Sequence, residues 1–241
     1  MKRVFEPSKL LVSLPHLRED NRKLWGFSMP AALTYFEPGD VQQRLAAMGL
    51  DEEHLLHAAR RWHLSWSSFT PNHPPVGVSI SAWTEAVAAL REQLLTIGWI
   101  RTDERNYALV LHPDRSIAIN VAAGDAGTGR PEATPSNKAP KGVSTANAIS
   151  VNQQQLELDL PVPDVPHLRG EEGPVTWFLL LHRAPSEIRC ELSLPSAMSA
   201  DVRITRWQEG IILSSIPLDD TSIDIVAPKG PDIDIEVRRK T

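Results

Sequence analysis

Apolar residues recur three and four positions apart over "GDVQQRLAAMGLDEEHLLHAARRWHLSW" and again over "SISAWTEAVAALREQLLTIGW". That spacing predicts helices with one buried stripe. In the first stretch Asp40 is the expected N-cap, with Gln43 placed to complete a capping box. Val41, Leu45 and Met48 form the stripe, and Gly49 supplies the stop. Asp51 restarts the chain as a second helix, with Glu52 and Glu53 in its first turn and Leu55, Ala59 and Trp62 on one face. The third helix is expected from Ser81, carrying Trp83, Val87, Leu90, Leu94 and Ile97 to a stop at Gly98. The intervening "SSFTPNHPPVGVS" reads as a turn-rich connection.

After Gly98 the period changes to two. Tyr107, Leu109 and Leu111 alternate with other residues, "HPDRS" is a turn, and Ile117, Ile119 and Val121 alternate beyond it. The pattern predicts an antiparallel hairpin, half-buried, with one face under the preceding helix. "VSTANAISVNQQQLELDL" fits helix and strand equally, and Ser144 or Thr145 could start a helix there. Beyond the Pro- and acid-rich "DLPVPDVPHLRGEEGP", a three-stranded meander is expected: Trp177 to Arg183, Glu187 to Leu194, and Val202 to Leu213. Residues 214–241 alternate isoleucines with acids and end in "RRKT"; they read as edge strands or a tail.

These elements amount to an α+β protein, with N-terminal helices packed on a mainly antiparallel sheet and a C-terminal β-meander. Residues 1–160 form the helical and hairpin part and 161–174 a linker. Residues 175–241 hold the meander and tail, packed with the first part as one unit.

Composition narrows the function classes. The chain has 241 residues, of which 41% are hydrophobic and 23% charged, the balance of a globular protein. Its net charge of −5 argues against a protein that grips duplex DNA by its phosphates alone, while leaving room for a local basic patch. The sole cysteine, Cys190, excludes an internal disulfide and a cysteine-based zinc site; with Ile188, Leu192 and Leu194 on its own strand face, it reads as buried and inert. The N-terminal segment lacks the apolar core of a signal peptide, and the longest apolar run, Val175 to Leu181, is too short to span a bilayer. A cytoplasmic bacterial protein with no membrane partner is the expectation. The seven tryptophans outnumber the phenylalanines and tyrosines taken singly. Most of them should fill cores, with one or two at an interface or ligand site.

Chemical motifs are few. His54 and His57 stand one helical turn apart without the carboxylate of a zinc-protease motif, and read as helix surface rather than a metal site. Glu187 and Glu191 share a strand face, as many solvent-facing acids do. No nucleophile elbow occurs, and no cofactor motif. What remains is "INVAAGDAGTGRPEATPSNKAPKG", Ile119 to Gly142. Its glycines and lysines could present N–H groups and charge to an anion. The spacing fits neither standard nucleotide loop, and the "RP" after Gly129 blocks a dinucleotide-type helix start. The segment from Asp125 to Val143 is nonetheless longer than a connection needs. Asp125, Thr128, Arg130, Lys138 and Lys141 are its candidate binding residues.

The order "ALREQLLTIGWIRTDERN", "IAINVAAGDAGTG", "ATPSNKAPKG", "WFLLLHRAPSEIRCELSLPSAM" and "RITRWQEGIIL" resembles a group of uncharacterised bacterial proteins often encoded in mobile or genomic-island regions. The resemblance spans roughly residues 40–213 and is most specific in the loop from Gly124 to Gly142. It carries no activity; it implies that the loop and the Trp207 strand are recurring parts of one fold. The expected function is that of an accessory or regulatory protein working through protein contacts, with the 124–142 loop as its binding element. The alternative is a factor, with or without catalysis, that meets nucleic-acid or nucleotide phosphates in a mobile-element or defence setting.

Overall fold

The computed structural model describes residues 32–139, 141–158 and 173–218. Most of the expected 161–174 linker, the N-terminal residues through 31 and the tail from 219 lie outside these described residues.

The helices follow the apolar stripes, but two of them start elsewhere than expected. Helix α1 (Pro38–Ala47) begins after Glu37, with Pro38 in its first turn and Asp40 inside that turn rather than at the cap. Proline lacks the N–H that would be unpaired there and already holds a helical φ, so it outcompetes the Asp40 cap. Gly49 ends the turn at φ +69°. Helix α2 (Glu52–Ser67) starts after Asp51 as expected, and Asp51 caps it in a capping box completed by His54. Helix α3 (Pro75–Leu95) starts six residues before Ser81, again at a proline, here the Pro74–Pro75 pair, so "VGVS" is helical rather than loop. Leu45, Leu55, Ala59, Trp62, Val87, Leu90 and Leu94 are all buried on the shared stripe.

Among the described residues an eight-stranded mixed sheet runs in the order β1 (Leu33–Tyr35), β7 (Ile204–Ile212), β6 (Glu187–Met198), β5 (Val175–Arg183), β4 (Ile117–Ala123), β3 (Leu109–Leu111) and β2 (Ile100–Thr102); β8 (Ile216–Pro217) adds to β6 beyond the end of β7. The β5–β6–β7 meander is antiparallel as expected. Two pairings are parallel, β1 with β7 and β4 with β5. The second has a helical crossover: the ambiguous segment is helix α4 (Val143–Leu158), carrying the chain from the end of β4 back to the start of β5. Parallel neighbours require such a return. Residues on both sides of the expected linker therefore share one sheet.

The crossover also explains burial. Strand β4 is not half-buried: Ala118 through Ala122 are all buried, because helices α1–α3 cover one face of the sheet and α4 covers part of the other. Val121, Trp177, Leu179, Leu181, Cys190 and Leu192 face the three-helix layer, while Ala122, Phe178, Leu180, Ile204 and Trp207 face Ile149 of α4. Strand β5 is accordingly apolar on both sides, and each of its fully buried leucines contributes about 1.5–3 kcal/mol. No helix among the described residues is long and apolar enough to cross a membrane.

Candidate functional site

The site begins with a short strand. β3 pairs with β4 only at Ala118 and Ile119, so the outer edge of β4 beyond that point needs other partners. The Asn120 side-chain amide donates to Ala108 O at 3.0 Å, the Trp83 indole N–H donates to Val121 O at 3.1 Å, and the Lys138 backbone N–H donates to Ala123 O at 2.9 Å. Gly124 then bridges to Asn137. The long loop thus folds back along the strand it leaves, and its first job is to finish an incomplete sheet edge.

The loop is pinned by buried polar groups. Asp125 Oδ1 accepts the N–H groups of Gly127 and Ser136 at 3.0 and 3.1 Å. Asn137, fully buried, accepts the Ile204 N–H at 2.6 Å, and the Trp207 indole donates to Pro135 O at 2.7 Å. Glu191, which the pattern left as one more solvent-facing acid, is only 3% exposed; it accepts the Gly129 N–H and the Ser193 hydroxyl, both at 2.6 Å. Burial lifts its carboxyl above the usual range, the two hydrogen bonds oppose that shift, and nearby Asp125 adds to it. Gly129 lies against Cβ of Arg189 at φ +70°, a position only glycine fills without strain. Arg189 is itself buried beneath the loop, 3.6 Å from the Glu187 carboxylate.

Where β4 and β5 end, a cleft of about 140 Å³ opens between the sheet and helices α2 and α3. Trp62, Trp66 and Trp83 wall it, and Lys138, His182 and Arg183 stand around it. Trp62 is buried in the floor, whereas Trp83 is 37% exposed. The Lys138 ammonium lies 5.9 Å from the centre of the Trp66 ring, a cation–π distance that holds it at the cleft. None of the described lining residues is acidic. Among the described residues neither Lys138 nor Arg183 makes an ion pair, unlike Arg44, Arg60, Arg61 and Arg91. Burial holds His182 below its ordinary value; the carbonyl of Gly124 and the charge of Asp125 oppose that, while Arg189 and Lys138 reinforce it. The volume suits one ring system, being smaller than the roughly 300–1,000 Å³ of drug-sized pockets.

The five loop residues separate. Asp125 and Thr128 serve the loop itself: Thr128 is fully buried, its hydroxyl wedged against Gly124 without a hydrogen-bond partner among the described residues. Arg130 is exposed on the loop surface. Lys141 extends over the Phe178 ring at 5.8 Å, on the α4 side of the sheet, where burial lowers its pKa to about 8. Only Lys138 reaches the cleft. Its companions Trp66, Trp83, His182 and Arg183 come from three other elements. The one sequence signal for them was the tryptophan excess. Trp99, Trp177 and Trp207 are at most 5% exposed, so among the described residues the tryptophans divide into core rings and cleft walls. His54 spends its ring on accepting the Asp51 N–H at 3.2 Å.

Comparison with known proteins found no matching family model, no matching curated protein and no matching solved structure.

Proposed function

We propose that the protein is a binding protein whose cleft beside the 124–142 loop receives a planar ring carrying negative charge, with a nucleotide phosphate as the anionic group. One observation carries this reading: accessible Trp66 and Trp83 rings line one cleft with Lys138 and Arg183, cations that form no ion pair among the described residues, and no described acid is among its walls. Ring stacking and charge would act together there, each tolerant of the base. By analogy with open α/β sheets, the carboxyl ends of parallel strands are a common ligand position. The test is tryptophan fluorescence and calorimetry of the full chain with adenosine 5′-monophosphate, adenosine and inorganic phosphate. The monophosphate should bind at least about tenfold tighter than either fragment; absence of saturable binding by any of them sinks the reading.

A second reading, an accessory protein acting through protein contacts, is favoured by a different observation. Val76, Ile80 and Trp83 lie four and three residues apart on α3 and are 64%, 56% and 37% exposed, forming an uncovered apolar stripe. Under it, a partner captured by the wild-type chain is lost by the V76E/I80E double variant while monophosphate binding persists. Capture unaffected by those charges contradicts it.

A further inference from the structure

A second depression lies on the far side of Arg183. It is a groove of about 520 Å³ between α2, the β5–β6 turn and β8, with Arg60, His63, Ser67, Arg183 and Ser186 among its walls. None of its described lining residues is acidic either, although Arg60 is already paired with Glu53. His63 Nδ1 is buried there without a hydrogen-bond partner among the described residues, and its Nε2 meets the Ser67 hydroxyl at 3.3 Å. Arg183, exposed and without an ion pair among the described residues, lines both the tryptophan cleft and this groove. Arg183 therefore stands between a seat for a ring and a wider seat lined by hydroxyls, an imidazole and apolar surface.

We propose that the two depressions form one track for single-stranded nucleic acid. A base occupies the tryptophan cleft, the phosphate joining it to its neighbour sits on Arg183, and that neighbour enters the groove beside Ser67 and Ser186. This rests on the reading of the cleft as a seat for a planar anion, and names the ligand as a strand rather than a free nucleotide. A single strand is selected over a duplex for two physical reasons. A base must leave its stack to enter a walled cleft, which is cheap only when it is unpaired. Among the described residues the cations lining the two depressions are Lys138, Arg183 and the Glu53-paired Arg60, too few to hold a duplex by its phosphates alone on a chain of net charge −5.

The experiment is calorimetric titration of the full chain with thymidine 5′-monophosphate, a thymidylate trimer, and a blunt hairpin duplex, at several salt concentrations. The trimer should bind at least about tenfold tighter than the monophosphate, and its salt slope should be steeper by about 0.7 for each added phosphate contact. The duplex should bind more weakly than the trimer. Ser186→Glu, which sets a negative charge in the groove alone, should bring the trimer down to the affinity of the monophosphate. Arg183→Gln should weaken both probes, with thermal melts verifying that each variant is folded. A trimer no tighter than the monophosphate overturns the track while leaving the cleft reading standing. Failure of both probes overturns both. A duplex that matches the trimer, or a trimer indifferent to Ser186→Glu, also overturns the track.

Discussion

Removing the Glu191 side chain should loosen the 124–142 loop from the sheet. In Glu191→Ala the Gly129 N–H loses its acceptor beneath the loop, an orphaned donor that costs about 1–3 kcal/mol. The lost buried methylene adds about 0.8 kcal/mol. Relief of a charge held in a buried place offsets part of this, so a net loss of about 1–3 kcal/mol is expected. Glu191→Gln keeps an acceptor for Gly129 and loses the charge, so it should be no less stable than wild type near neutral pH. The pH dependence has a definite sign. The folded carboxyl titrates above its ordinary 4.5, so above that pH the folded state holds protons that the unfolded state has released. Wild-type stability from this group therefore falls as pH rises through the window that starts near 4.5. Glu191→Gln lacks that fall, and its advantage over wild type should grow from about pH 4 to about pH 7. Urea unfolding at both pH values measures the difference, and hydrogen exchange of the Gly129 amide should show protection in wild type and Gln but not in Ala. A Gln variant as destabilised as Ala, or an Ala variant with an unchanged Gly129 amide, would refute the pinning role.

Other substitutions probe the same packing. Lys141→Met should stabilise the protein below pH 8, because the drop of the lysine to about 8 reflects a desolvation penalty that hydration and the Phe178 ring only partly offset. A gain of about 1–2 kcal/mol in urea unfolding at neutral pH, shrinking as pH rises from 8 toward 10.5, is expected. Gly124→Ala would bring its Cβ to 2.1 Å from the Thr128 hydroxyl oxygen and should lower stability by about 1–3 kcal/mol. Adding Thr128→Ala should recover part of that loss, and strict additivity in the cycle would rule the clash out. Cys190 is fully buried with its thiol pushed up to about 12, so a thiol reagent should label it only at the rate of opening or unfolding; rapid labelling of the native protein would contradict that placement.

The helices were legible because their stripes face a single core, and the meander because its strands are apolar runs bounded by turn residues. Leu45, Leu55, Val87 and Leu90 could be placed from spacing alone. The helix starts were less so: Pro38 and the Pro74–Pro75 pair begin helices earlier than the polar caps that also fit the sequence. Helix α4 was ambiguous because it carries no marked apolar stripe and sits over β5 and β6 through a few residues, such as Ile149 and the buried Asn152. With the crossover unread, the parallel β4–β5 pair and the second buried face of β4 could not follow. The loop's importance was visible from its length, and Lys138 was among its expected residues. Trp66, Trp83, His182 and Arg183 were not legible as a site, since only the parallel pairing sets the end of β5 beside the end of β4 and under α2 and α3. Glu191 was hidden by the same cause: a strand face becomes an interior only once the loop lies on it.

Site-resolved NMR of the tryptophan indole N–H groups during titration with adenosine 5′-monophosphate examines the cleft most directly. The signals of Trp66 and Trp83 should shift saturably while those of Trp99 and Trp207 stay in place, and Lys138→Met should weaken the midpoint by about tenfold. Unmoved Trp66 and Trp83 signals, or shifts confined to rings outside the cleft, would contradict a ligand seat between α2, α3 and the ends of β4 and β5.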